Sequence, residues 1–118
     1  MPNNISWNLQ LTINEGKADE FGALAAEMAA SVEAEPGTLQ YEWFIGEDGH
    51  TCHINERYVD SEAAITHIAS FGANYAERMM AFITPTQFSV YGDPSAAVRE
   101  ALVGFGAVHM KHLTGFRR

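Results

Sequence analysis

The sequence is short of cysteine, of basic charge and of long apolar runs, and each shortage removes a class of function. Cys52 is the only cysteine among 118 residues, which excludes an intrachain disulfide and fits a reducing compartment. Its place in an apolar-facing row reads as a buried, inert thiol rather than a nucleophile. Seven Lys and Arg stand against 15 Asp and Glu, a net charge of −8. Nucleic acid and anionic membrane both demand a basic footprint, so neither is an expected partner. No apolar stretch approaches the roughly 18 residues a spanning helix requires. Met1-Pro2-Asn3-Asn4 carries neither a basic nor an apolar leader pattern, so no signal peptide is expected and the location expected is cytoplasmic. Also missing are a Gly-x-Gly-x-x-Gly fingerprint, a phosphate loop, a Gly-x-Ser-x-Gly elbow and a His-Glu-x-x-His helix. No cofactor is therefore expected, and any catalysis must come from a pocket.

What is present reads as a globular domain spanning residues 1–118, 47% hydrophobic and 11% aromatic, with disorder expected only in the first few residues and the last two. Trp7, Leu9, Leu11 and Ile13 alternate with polar residues, the two-residue period of a half-buried strand. Phe21, Leu24, Ala25, Met28 and Val32 recur at helical spacing until Pro36. Leu39, Tyr41, Trp43 and Ile45 form an apolar strand row, Asp48-Gly49 turns the chain, and Cys52, Ile54, Glu56 and Tyr58 return it. Asp60-Ser61 caps a helix with the stripe Ala64, Ile65, Ile68 and Phe71. A break near Gly72 separates it from a second stripe, Ala76, Met79, Met80 and Ile83, which Pro85 closes. Phe88 and Val90 mark a fourth strand ending at Gly92. Asp93 then caps, and Pro94 opens, a helix carrying Ala97, Val98, Ala101 and Leu102. Gly104 and Gly106 end that helix, and residues 107–113 read as a fifth strand.

The order predicts an α+β fold: a ferredoxin-like βαββαβ plan with an added C-terminal helix and strand, the helices gathered on one sheet face. The other face reads Asn8, Gln10, Glu42, Phe44, His53, Asn55, Ser89 and Tyr91, whose aromatic members need cover that a second copy of the chain would supply.

The run Glu-Pro-Gly-Thr-Leu-x-Tyr-Glu, then Asp-Gly, then Glu-x-Tyr-x-Asp-x-x-Ala with His67 on the helix, resembles the antibiotic biosynthesis monooxygenase family. The resemblance implies a dimeric α+β barrel and oxygenation of a small phenolic, quinol or anthrone-like ring without metal or flavin, the ionised substrate giving an electron to dioxygen. It places His67 where relatives carry a helix histidine near the pocket. Gly72 stands where many members have a second histidine. The haem-degrading branch is a poor match, because Trp7 and Trp43 both fall on strands and Leu9 and Leu11 fill the inward positions of the first strand.

Several residues have a bland reading beside a chemical one. His67 is a base or substrate donor, or else a half-buried brace; as a base its removal would cost rate and little stability. Tyr75 is a second catalytic candidate or a packing tyrosine. Trp7, Tyr41, Trp43, Met79 and Phe82 line a flat substrate pocket or fill the core. Glu56 interrupts an apolar row with a charge, so it contacts substrate or pairs with a group such as Arg78. Among His50, His53, His67, His109 and His112 no spacing makes a chelating pair, and no metal site is expected. Three readings remain open: a cofactor-independent monooxygenase, a non-oxygenase isomerase or cyclase on the same barrel, and a binding protein without turnover.

Overall fold

A computed structural model describes residues 4–118; the leader and disorder expectations for Met1, Pro2 and Asn3 lie outside the described residues. The first strand, β1 (Ile5–Ile13), buries Ile5, Trp7, Leu11 and Ile13 on one face. The helix α1 (Ala18–Glu33) lays Phe21, Leu24, Met28 and Val32 over that face. The hairpin strands β2 (Thr38–Ile45) and β3 (Thr51–Tyr58) follow, joined at a turn where Asp48 accepts from the backbone of His50 and Thr51 and Gly49 takes φ +80°. Asp60 caps α2 (Ser61–Asn74) by accepting from the Ala63 amide. After α2 come α3 (Ala76–Phe82), β4 (Ile83–Tyr91), α4 (Ala96–Leu102), a 3₁₀ turn over Val103–Phe105 and the short β5 (Val108–Met110).

The sheet runs β2-β3-β1-β4-β5. Its first four strands are antiparallel, the ferredoxin-like order, and β5 adds in parallel beside β4. The expected α+β plan is therefore the observed one, with differences in detail. Gly72 stays helical and the break falls at Tyr75, whose φ of −131° leaves the helix. The strand β4 begins at Ile83 and runs through Pro85 instead of starting after it. Leu11 pairs with Pro85 and Gln10 with Gln87, so Thr86 is an extra residue at a bulge, where a proline without an N–H is tolerated. Ser95, not Asp93, caps α4 by accepting from the Val98 amide at 3.3 Å; Asp93 pairs weakly with Arg99 at 3.6 Å. A second irregularity between Thr38 and Gln40 turns Leu39 out of its expected row, and Ile45 is exposed as well.

The interior is divided. One cluster under α1 and α3 holds Leu11, Phe21, Met28, Ile54 and Met79. A second under α2 and α4 holds Ile5, Trp7, Tyr58, Phe88, Val98 and Leu102, and Leu9 touches both. The outer sheet face carries a polar ladder, with Asn8 Nδ2 donating to Asn55 Oδ1 at 2.7 Å and Gln10 Nε2 to Asn8 Oδ1 at 3.0 Å. On the same face Phe44 is 51% exposed and Tyr91 43%.

Candidate active site

A cavity of about 160 Å³ opens at the seam between the two clusters. Trp7, Leu9 and Ile54 form its sheet floor, Ile68 and Phe71 come from α2, and Met79, Phe88, Leu102 and Phe105 close the far side. The charged groups on this apolar wall are Glu56 and His67.

Their meeting follows from the local folding. Glu56 points to the helical face because it shares the two-residue period of Cys52, Ile54 and Tyr58, all buried. The Asp60 cap fixes where α2 starts, and Ala64 and His67, three residues apart, become its buried face. The result places His67 Nε2 at 3.2 Å from Glu56 Oε1. His67 Nδ1 lies 3.1 Å from Oε1 of a second carboxylate, Glu35, on the connection between α1 and β2. His67 is 5% exposed and Glu56 6%.

Supporting contacts hold each carboxylate. The Tyr58 hydroxyl donates to Glu56 Oε1, and the Thr38 hydroxyl donates to Glu35 Oε1 at 2.8 Å. The rings of Tyr58 and Tyr41 stand 5.2 and 5.5 Å from the imidazole. Gly37 allows the Glu35 turn to press on α2, since a Cβ there would lie 2.5 Å from the Ala63 Cβ.

Burial alone would push the His67 pKa down. The hydrogen bond and charge of Glu56, and then those of Glu35, outweigh it and hold the ring above the ordinary histidine value. In its protonated form the ring would donate to a carboxylate at each nitrogen, Glu35 at Nδ1 and Glu56 at Nε2. Both contacts on Glu56 fall on Oε1, and Glu56 itself is on the cavity wall. Burial, followed by the Glu56 charge, raises the pKa of Tyr58 and Tyr41, keeping both as neutral phenols. The two carboxylates sit at opposite edges of one ring, and among the described residues no group of three or more His, Cys, Asp or Glu could hold a metal ion.

The other residues singled out by sequence are dispersed. Trp7, Tyr41 and Met79 are on the cavity wall. Trp43 is not; it packs on Phe21 and Tyr41 with centroids 5.6 and 5.8 Å away. Phe82 and Tyr75 pack against the first cluster, away from the cavity, and the Arg78 guanidinium lies 5.5 Å from the Tyr75 ring centroid. Arg78 pairs with Glu27 at 2.7 Å and is not the partner of Glu56. Cys52 is buried, and burial pushes its thiol up to about 11. Sequence reasoning passed over Glu35 and the Tyr58 hydroxyl. The signal for Glu35 was an acidic residue directly before a Pro-Gly turn that carries the chain back beneath the helix bearing His67.

A sequence profile described as antibiotic biosynthesis monooxygenase matches residues 5–76, more than half of the chain. The chain belongs to the antibiotic biosynthesis monooxygenase family. No curated protein matches it in sequence at a significant level. Among solved structures it is similar to MupZ from Pseudomonas fluorescens, with 19% identity, a TM-score of 0.87, and 98% of this chain and 95% of that chain covered. It is also similar to SnoaB, a cofactor-independent oxygenase from Streptomyces nogalater, with 18% identity, a TM-score of 0.66, and 80% and 96% covered. These likenesses show the fold. In this family member Glu35, Glu56 and His67 fall inside the matched segment, whereas the cavity wall from Met79 to Phe105 lies beyond it.

Proposed function

We propose that this antibiotic biosynthesis monooxygenase family member is a cofactor-independent monooxygenase of a small aromatic compound, with Glu56 as proton acceptor and His67 as the fixed cation beside it. The observation that carries the reading is one carboxylate–imidazole pair set into an otherwise apolar cavity. An acidic ring O–H or C–H gives its proton to Glu56, and the ring anion inherits the imidazolium as counter-ion. That anion passes an electron to dioxygen, the two radicals combine, and the peroxide loses water. For a phenol, a ring C–H and the O–H plus O₂ become two C=O groups plus H₂O; the proton held by Glu56 returns to the peroxide, and the substrate supplies all four electrons. The apolar wall excludes water that would otherwise protonate the anion.

Size narrows the substrate. A dry cavity of about 150 Å³ holds one benzene ring, so about 160 Å³ suits a single-ring phenol or quinol better than a three-ring anthrone. Oxygen uptake should be seen first with single-ring quinols in a panel that includes anthrones; uptake confined to the anthrones would reject this size assignment. A second reading, an isomerase or cyclase, is favoured by the contact of His67 with Glu56, since an acid beside a base needs no oxygen. Turnover that continues anaerobically would select it. Ligand retention without turnover under either condition would select the binding protein.

The working form is a homodimer through the outer sheet face, where Phe44 and Tyr91 are exposed at a polar ladder. Sedimentation at micromolar concentration should give twice the 13.0 kDa chain mass, and a clean monomer would reject the interface. The lone buried thiol supports a cytoplasmic location, and the charge of −8 supports neither nucleic acid nor an anionic membrane as a partner.

A further inference from the structure

We propose that Glu35, which lies off the cavity wall, is a positioning residue that fixes His67 as a double hydrogen-bond donor and thereby makes Glu56, not the imidazole, the proton acceptor of the site. The inference rests on the oxygenase reading for its meaning but on geometry for its support. A neutral histidine donates from one nitrogen and accepts at the other. Facing Glu56 alone, His67 could hold its single proton at either nitrogen, and the bare one would be the base. Glu35 removes that choice, because its Oε1 sits 3.1 Å from Nδ1 while Glu56 Oε1 sits 3.2 Å from Nε2. Two acceptors at opposite edges of one ring are both satisfied only by the imidazolium.

Four titratable groups face the ring: Glu35 from the α1–β2 connection, Tyr41 from β2, and Glu56 and Tyr58 from β3. Of these, the two tyrosines are neutral, so the carboxylates alone oppose loss of the ring proton. The Glu35 side chain is built in rather than incidental. Thr38 clamps the oxygen that meets His67, the Thr38 amide donates to the Glu35 carbonyl at 3.2 Å, and Gly37 lets the turn close on α2.

The test is an ¹⁵N NMR titration of the His67 imidazole in the full chain, wild type against Glu35→Gln, followed by oxygen uptake against pH with a single-ring quinol. Gln keeps the shape and an acceptor oxygen but not the charge. The ring's titration midpoint should fall by about one to three pH units, and the alkaline limb of the activity profile should move down with it. A brace without an electrostatic role would alter melting and leave both unmoved, so an unchanged midpoint overturns the proposal. If Glu35→Gln does not fold, Glu35→Ala removes the same charge with a small side chain; a lowered midpoint there supports the proposal and an unchanged one overturns it. The titration needs no substrate. A lowered midpoint in a protein that oxidises no quinol would therefore reject the oxygenase reading alone, and an unchanged midpoint in an active protein would reject Glu35 alone.

Discussion

Glu56→Gln should lower turnover of a single-ring quinol by about two to four powers of ten, the range for loss of a positioned proton acceptor, while the protein still folds. The amide oxygen can accept from Tyr58 and from His67 as the carboxylate does, so the contacts at Oε1 have a substitute. The imidazolium keeps Glu35 as an anionic partner, so no buried charge is left alone. What Gln cannot do is take a proton at neutral pH. Oxygen uptake by purified wild type and variant, compared under one set of conditions, checks the prediction. Equal rates would remove Glu56 from the chemistry.

His67→Ala should behave differently, as a severe loss of stability. From sequence, removal of His67 as a base would cost rate and leave melting nearly unchanged, whereas removal of a brace would cost stability. The structure instead puts His67 between two carboxylates, with Glu56 7% and Glu35 17% exposed at their side chains. Deleting one partner of a buried pair costs about 3–5 kcal/mol, because the remaining charge stays desolvated. For a domain of this size the melting temperature should fall by roughly 10 to 25 °C. The pH dependence carries a sign. The folded pKa of His67 lies above its unfolded value, so the stabilisation is complete below about pH 6.5 and fades as pH rises through the folded value. The gap in melting temperature between wild type and His67→Ala should be widest near pH 6.5 and narrow in alkaline buffer. A gap independent of pH would mean that the ring fills space and carries no charge.

The strands and helices were legible wherever one period repeated without a competing signal. Alternation gave β1 and β3, the three-and-four spacing gave α1, and Asp48-Gly49 and Asp60 gave the hairpin turn and the α2 cap. Errors collected where two local rules competed. Pro85 reads as a breaker, yet a bulge in β4 absorbs it. Asp93 and Ser95 are both good caps, and the helix begins at Ala96, directly after Ser95. At the site, a charge on the apolar row of β3 was visible as an anomaly, but its partner was sought among opposite charges at Arg78. His67 does not count as a cation by composition. Here β3 and the α1–β2 turn bring carboxylates to both its nitrogens and raise its pKa, a tertiary arrangement with no periodic trace.

The two-part lining of the cavity has a consequence for how such a protein can change. Glu35, Glu56 and His67 all lie within the first 67 residues, whereas Met79, Pro85, Phe88, Leu102, Gly104 and Phe105 close one side of the cavity. The cavity wall therefore draws on both parts of the chain, its floor of Trp7, Leu9 and Ile54 coming before His67 and its far side from Met79 to Phe105 after it. Gly104 has nothing within 4 Å of where a Cβ would stand, so the aperture tolerates a larger residue without disturbing the packed interior. Substitutions between Met79 and Phe105 would reshape that side of the cavity while leaving the contacts among Glu35, His67 and Glu56 as they are.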